Sequence, residues 1–128
     1  MTTSSAIPTR VSAPDSLEVF DIPDLLEELK REEPWHAGKR NAMTLLKDKN
    51  LSVVLVVMHG GSSIEYHQTR CPVTVQVVEG QLRINTDKES VNVGTGEIAT
   101  LPAGLRHSLE ALQECGFLLT LGGKLSDA

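Results

Sequence analysis

Beyond Trp35 the chain carries no apolar helical period. It breaks instead into short β-branched or aliphatic runs set apart by Gly, Pro, Asn and Asp-Lys turns. The runs are Asn41 to Lys47, Leu51 to His59, Val73 to Glu79, Gln81 to Asn85, Ser90 to Val93, Glu97 to Leu101, His107 to Leu112 and Cys115 to Leu121. About eight strands in about eighty residues demand an all-β sandwich or barrel. Aromatic residues are only 3% of the chain, so valine and leucine must supply most of its core.

The segments before the first strand divide in two. Residues 1–16 are polar, proline-spaced and poor in large apolar groups, which predicts a flexible tail because little burial offsets the entropy of ordering it. Residues 17–39 read as a helix and connector packing on the barrel, and residues 40–128 as the barrel itself. Within the helix, Ile22, Leu25, Leu26 and Leu29 fall at helical spacing. Asp21 stands as N-cap, Pro23 lies in the first turn, Lys30 and Arg31 lie near the end, and Pro34 acts as the stop. Trp35, the only tryptophan, is expected to anchor the connection against the barrel. In Leu51 to Met58 apolar side chains occupy both parities, so both faces of that strand need cover. One face belongs to the barrel interior. The other is covered by the helix or by a second subunit, and a homodimer is the expectation.

The charge balance narrows the partners. A net charge of -5 argues against a nucleic-acid groove or an anionic membrane surface, both of which attract Lys and Arg. Cys71 and Cys115 lie far apart without a C-x-x-C, which gives neither a zinc knuckle nor a disulfide framework. The first residues lack the apolar stretch of a signal peptide, and no run approaches a membrane span, so a cytoplasmic location is expected. Gly94 and Gly96 lack the third glycine and the helix of a nucleotide loop, and no serine sits in a nucleophile elbow.

Two spacings carry the most specific signal. Gly96, five residues, Pro102, one residue, Gly104, two residues and His107 reproduce the frame G-(X)5-P-X-G-(X)2-H. Upstream, Gly61 is followed after five intervening residues by His67, and after twelve further intervening residues by Gly80. Together these frames resemble the second and first motifs of the cupins. The resemblance covers roughly residues 40 to 122 and implies a double-stranded β-helix, the RmlC-like jelly-roll barrel, with the N-terminal amphipathic helix outside the motifs. It also implies that His67 and His107 point into the barrel mouth as candidate ligands of one divalent transition metal (Zn, Ni, Fe or Mn).

The departures from that pattern matter equally. Thr69 stands where metal-binding cupins carry a second histidine, Val73 where they carry glutamate, and Ala111 replaces the trailing Asn. Two of four ligands are missing, and His67 with His107 alone holds a metal weakly. His59, Glu65, Gln68 and Cys71 are the other donors in the neighbourhood, and Glu65 shares the parity of His67 only if no bulge intervenes. Strand alternation places Thr69, Val73, Val75 and Val77 on the face of His67, as the lining of a pocket. Cys115, beside Phe117 and Leu119, reads as a buried small hydrophobe.

These residues leave three functions open. The first is an enzyme using a metal or an imidazole base on a small polar substrate, as metal-free sugar epimerases among the cupins do, although no carboxylate stands to orient the base. The second is a non-catalytic, metal-free module binding a small molecule. The third is a dimeric scaffold whose interior is filled by side chains.

Overall fold

The computed structural model describes residues 17–127, so the expected tail at 1–16 lies outside the described residues. The described chain is two short helices followed by nine strands and a terminal 3-10 turn at Leu125–Asp127. Helix α1 is Ile22–Arg31 and α2 is Glu33–His36. The strands are β1 (Asn41–Lys47), β2 (Ser52–Met58), β3 (Ser63–His67), β4 (Val73–Glu79), β5 (Gln81–Thr86), β6 (Ser90–Gly94), β7 (Ile98–Leu101), β8 (His107–Ala111) and β9 (Cys115–Leu121). They form two antiparallel sheets, a larger one in the order β1-β2-β9-β4-β7 and a smaller one in the order β3-β8-β5-β6. No helix among the described residues is long and apolar enough to cross a membrane.

Eight of these strands match the apolar runs, and β3 is the one those runs omit. Its sequence, Ser-Ile-Glu-Tyr-His, has one aliphatic residue and lies at a sheet edge, so burial leaves little mark on its composition. The helical region also differs in detail. Asp21 caps α1 as expected, its carboxylate accepting from the Asp24 amide at 3.0 Å. Helix α1 ends at Arg31, however, because Glu32 is extended, and Pro34 falls in the first turn of α2. A proline there has no N–H for the carbonyl four residues back, so the helix restarts instead of continuing.

Two apolar layers result. Between the sheets lie the inward residues of β2 and β4, with Phe117, Leu121, Leu82 and Leu109. On the outer face of the larger sheet, Leu26 and Leu29 of α1 pack with Met43, Leu45, Leu55 and Val57. The second parity of β2 is therefore sealed within the chain, and Leu55 and Val57 need no second subunit to cover them. Asn41 ties the two together. Its amide donates to the Leu29 carbonyl at 3.0 Å and to Glu32 Oε1 at 2.9 Å, satisfying a buried polar side chain at a helix end. Lys30 pairs with Glu79 and, at 2.8 Å, with Glu114. Burial pulls the Lys30 pKa down, but hydrogen bonds and attraction from Glu114 and Glu79 outweigh it and leave the ammonium favoured. Residues Leu17 and Val19, by contrast, stand away from the barrel on which this region was expected to pack.

Two glycines permit this packing. Gly80 turns between β4 and β5 at φ 81°, and a Cβ there would lie 2.1 Å from the Glu114 carbonyl oxygen. Gly116, on the outer face of β9, lies beneath Leu26, whose Cδ2 would meet an added Cβ at 2.5 Å. Gly96 has a similar φ of 86° but nothing within 4 Å. Chemical denaturation is expected to rank the alanine variants accordingly. Gly80→Ala should cost the most, about 3 kcal/mol, since left-handed strain adds to a backbone clash. Gly116→Ala should cost about 1–3 kcal/mol of overpacking, and Gly96→Ala about 1 kcal/mol of strain alone. Equal losses at positions 80 and 96 would remove the clash from this account.

Candidate functional site

The site begins with a miscount between two paired strands. Ile64 of β3 faces Leu109 of β8, yet His67 faces His107, so three steps on β3 oppose two on β8. The extra residue is a β-bulge, and it places both Glu65 and Tyr66 on the exposed side before returning His67 to the inner face. Glu65 is thereby removed from the donors available to His67. Without the bulge, Tyr66 would stand opposite His107 and His67 would face solvent.

The two imidazoles meet as a tilted pair, with ring centroids 4.3 Å apart and planes at 57°. His67 Nδ1 lies 3.0 Å from the Glu65 carbonyl oxygen, and His107 Nδ1 lies 2.9 Å from that of Leu105. A carbonyl can only accept, so each Nδ1 carries the proton. In the neutral rings each Nε2 is left as a lone-pair acceptor. His107 is only 2% exposed. Burial lowers its pKa below the usual imidazole value; the Leu105 carbonyl partly offsets this, and the nearby His67 adds to it. Burial thus favours the uncharged form of His107.

The remaining sequence candidates disperse. Thr69 is buried with its hydroxyl donating to the Cys71 carbonyl at 2.9 Å, so that hydroxyl is committed to the loop. The Thr69 carbonyl accepts from the Gly104 amide, and Gln68 donates to the Gly104 carbonyl at 3.1 Å, which clamps the loop after β3 to the turn before β8. Cys71 belongs to the inter-sheet core. Val73, Val75 and Val77 do share the inner face, but Val75 and Val77 have no exposed surface and all three pack into that core, so they form a closed floor, not the wall of an open pocket. Valine fits this role because a β-branched side chain fills the space between sheets without a polar group to satisfy. Ile64, Leu105 and Leu119 keep partial exposure against the same core.

His59 lies elsewhere and has a structural task. It stacks on Trp35 with centroids 3.5 Å apart and planes at 17°, and its Nε2 donates to the Trp35 carbonyl at 3.1 Å. Trp35 thus anchors the helical connection as its uniqueness suggested. Among the described residues no three His, Cys, Asp or Glu side chains converge to hold a metal ion. Two imidazoles are one donor short of the three protein groups that a resident divalent transition metal ordinarily takes. The donor set does not fit such an ion.

On the opposite face of the smaller sheet an open cleft of about 680 Å³ is bordered by Glu65, Tyr66, Asn85, Arg106, Ser108 and Glu110. The Asn85 amide donates to Ser108 Oγ and Glu110 Oε1, and the Arg106 guanidinium lies 4.3 Å over the Tyr66 ring. The strand alternation about His107 could have disclosed Arg106, Ser108 and Glu110 as the outward set, whereas the bulge hides Tyr66 from such a count.

No protein-family model matches the chain, and no curated protein sequence matches it. Solved structures do. A conserved protein of unknown function from Streptococcus pyogenes superposes with a TM-score of 0.67 at 21% identity, covering 85% of this chain and 90% of that one. A cupin-2 domain containing protein from Shewanella frigidimarina gives a TM-score of 0.65 at 19% identity, over 80% and 92% of the two chains. The chain has a cupin fold. A further cupin superfamily protein, from Desulfitobacterium hafniense, gives 0.65 at 14% identity over 67% and 79%. In this cupin barrel the two motif histidines are neighbours on paired strands; Gly104 lies in the turn just before His107, whereas Gly61, Gly80 and Gly96 lie in turns at other strand ends, Gly61 bonding to Ala111 at the far end of β8.

Because the folded His107 pKa is lowered, the unfolded chain takes up this proton first as pH falls. Its contribution to stability is complete above the unfolded value and declines as pH drops from there toward the folded value. Denaturation between about pH 7.5 and 5.5 should show this loss, and His107→Phe should flatten that part of the profile. Nitrogen chemical shifts should report a proton on Nδ1 of both rings; a proton on Nε2 of either would contradict the assignment.

Proposed function

We propose that this cupin binds a small hydroxyl-bearing molecule at the barrel mouth, without a resident transition metal. The observation that carries this reading is the pair of Nε2 lone pairs, left free because both Nδ1–H groups are bonded to backbone carbonyls. Acceptors of this kind select a ligand that donates, and the partly exposed Leu105, whose carbonyl orients His107, lies beside them with an apolar side chain. Binding is favoured over proton abstraction by two features. The rings are oriented by carbonyls, not by a carboxylate that would stabilise an imidazolium, and burial makes His107 a poor proton acceptor. A divalent ion held by two imidazoles alone would exchange with solvent and with chelators.

The test pairs a metal assay with a ligand screen. Purified protein should carry well under one transition metal per chain after exposure to a chelator. Polyols and hydroxy acids should raise the melting temperature, and their O-methyl ethers should not. His67→Phe and His107→Phe keep a ring and remove the lone pair, and each should weaken binding by about three- to tenfold, the worth of one neutral hydrogen bond. A stoichiometric metal that survives chelation and is lost in His67→Phe would overturn the proposal, as would ligands whose affinity ignores both histidines.

A further inference from the structure

The outer face of the smaller sheet carries a polar row. Along β8, Arg106, Ser108 and Glu110 alternate with the inward His107, Leu109 and Ala111, and they border the open cleft with Glu65, Tyr66 and Asn85. Asn85 stands opposite Ser108 and fixes the middle of the row. Its Oδ1 accepts from Ser90 Oγ, and its amide donates to Ser108 Oγ at 3.2 Å and to Glu110 Oε1 at 2.9 Å.

Two adjacent groups are left over from this arrangement. Ser108 is only 7% exposed, and while its oxygen accepts from Asn85, its proton has no acceptor among the described residues. Glu110 Oε2 likewise has no donor among them. A buried hydroxyl calls for a partner for its proton, and this one borders the cleft. One donor and one acceptor, held side by side by a single amide, match two neighbouring hydroxyls, one accepting from Ser108 and the other donating to Glu110. At the other end of the row the Arg106 guanidinium lies 4.3 Å over the Tyr66 ring, and this flat pair suits the C–H face of a sugar ring.

The charges select a neutral ligand. Arg106 meets Asp87 at 3.4 Å and Arg83 stands opposite Glu110, so both cations are balanced and, among these groups, Glu65 is the carboxylate in excess. An anion finds no unbalanced cation here, and one exposed carboxylate holds a cation weakly. From Arg106 to Glu110 the row runs roughly 14 Å along the strand, longer than a single sugar ring. The geometry points to a second, non-catalytic site: the outer cleft binds a neutral linear oligosaccharide, stacked on Tyr66 and Arg106 and hydrogen-bonded by Ser108 and Glu110, with Asn85 positioning both. The site lies on the far face of the sheet from the histidine pair and does not depend on what the barrel mouth binds.

Amide chemical shifts followed during titration with cellotetraose, maltotetraose and chitotetraose test it, with glucose, spermidine and citrate as controls. At least one tetrasaccharide should shift Tyr66, Asn85, Ser108 and Glu110 together and bind about tenfold or more tightly than glucose. Tyr66→Ala, Ser108→Ala and Glu110→Gln should each weaken that binding by about three- to tenfold. The first two should keep the wild-type circular dichroism, because Tyr66 is exposed and the Asn85 amide retains Glu110, and the third is isosteric. His67→Phe should leave the binding unchanged, which separates this site from the barrel mouth. Absence of a response to all three tetrasaccharides overturns the proposal. So do shifts centred on His67 and His107, an affinity indifferent to the three cleft variants, and tighter binding of spermidine or citrate to the cleft.

Discussion

The mouth of this barrel depends on one inserted residue in an edge strand. The bulge in β3 decides which side chain opposite His107 faces inward, and it does so with backbone geometry alone. The same irregular stretch supplies the Glu65 carbonyl that takes the His67 Nδ1 proton. Aim and tautomer of that imidazole therefore have a single local origin. His107 acquires the same arrangement from the other side, through the Leu105 carbonyl just after the turn at Gly104, whose φ is 83°. Each ring is held by the carbonyl two residues before it, and the loop clamp among Thr69, Gln68 and Gly104 keeps the two supports together.

Away from the mouth, the two sheets meet water differently. The larger sheet is apolar on both sides at β1 and β2, where α1 lies over it, and this explains why β2 reads as an uninterrupted hydrophobic run. The smaller sheet keeps the alternation of a half-solvated antiparallel sheet: His107, Leu109 and Ala111 turn inward while Arg106 and Glu110 border the outer cleft. The close seat of the helix rests on the absence of a side chain at Gly116, and its far end is fixed by Lys30 between Glu79 and Glu114. Burial at this junction, together with the two glutamates, pushes the Cys115 thiol up to about 11, which keeps it protonated and inert as its apolar setting suggested.

Much of the fold was legible because turns and apolar runs are local signals. The Gly96, Pro102, Gly104 and His107 spacing located the second motif, and the runs located every strand except β3. That strand escaped notice because an edge position and a bulge both weaken the alternation on which recognition of a strand depends. The site was less legible for the same reason. Parity counting puts Thr69 and Val73 with His67, but Thr69 lies beyond the end of β3 in a loop that bonds to itself, and β4 belongs to the opposite sheet, where its valines close the core. Whether a glutamate two residues before a histidine faces inward cannot be counted without knowing the register, and here the bulge turns Glu65 outward.

The stacking of Trp35 on His59 joins the helical region to the end of β2. Since the chain has a single tryptophan, its fluorescence is a spectroscopic label placed at that seam and nowhere else. Emission at this position therefore reads a local event, the separation of the helices from the sheet. Melting curves followed by fluorescence therefore describe the undocking of the helical cover, while the β-sheet signal in circular dichroism describes the barrel.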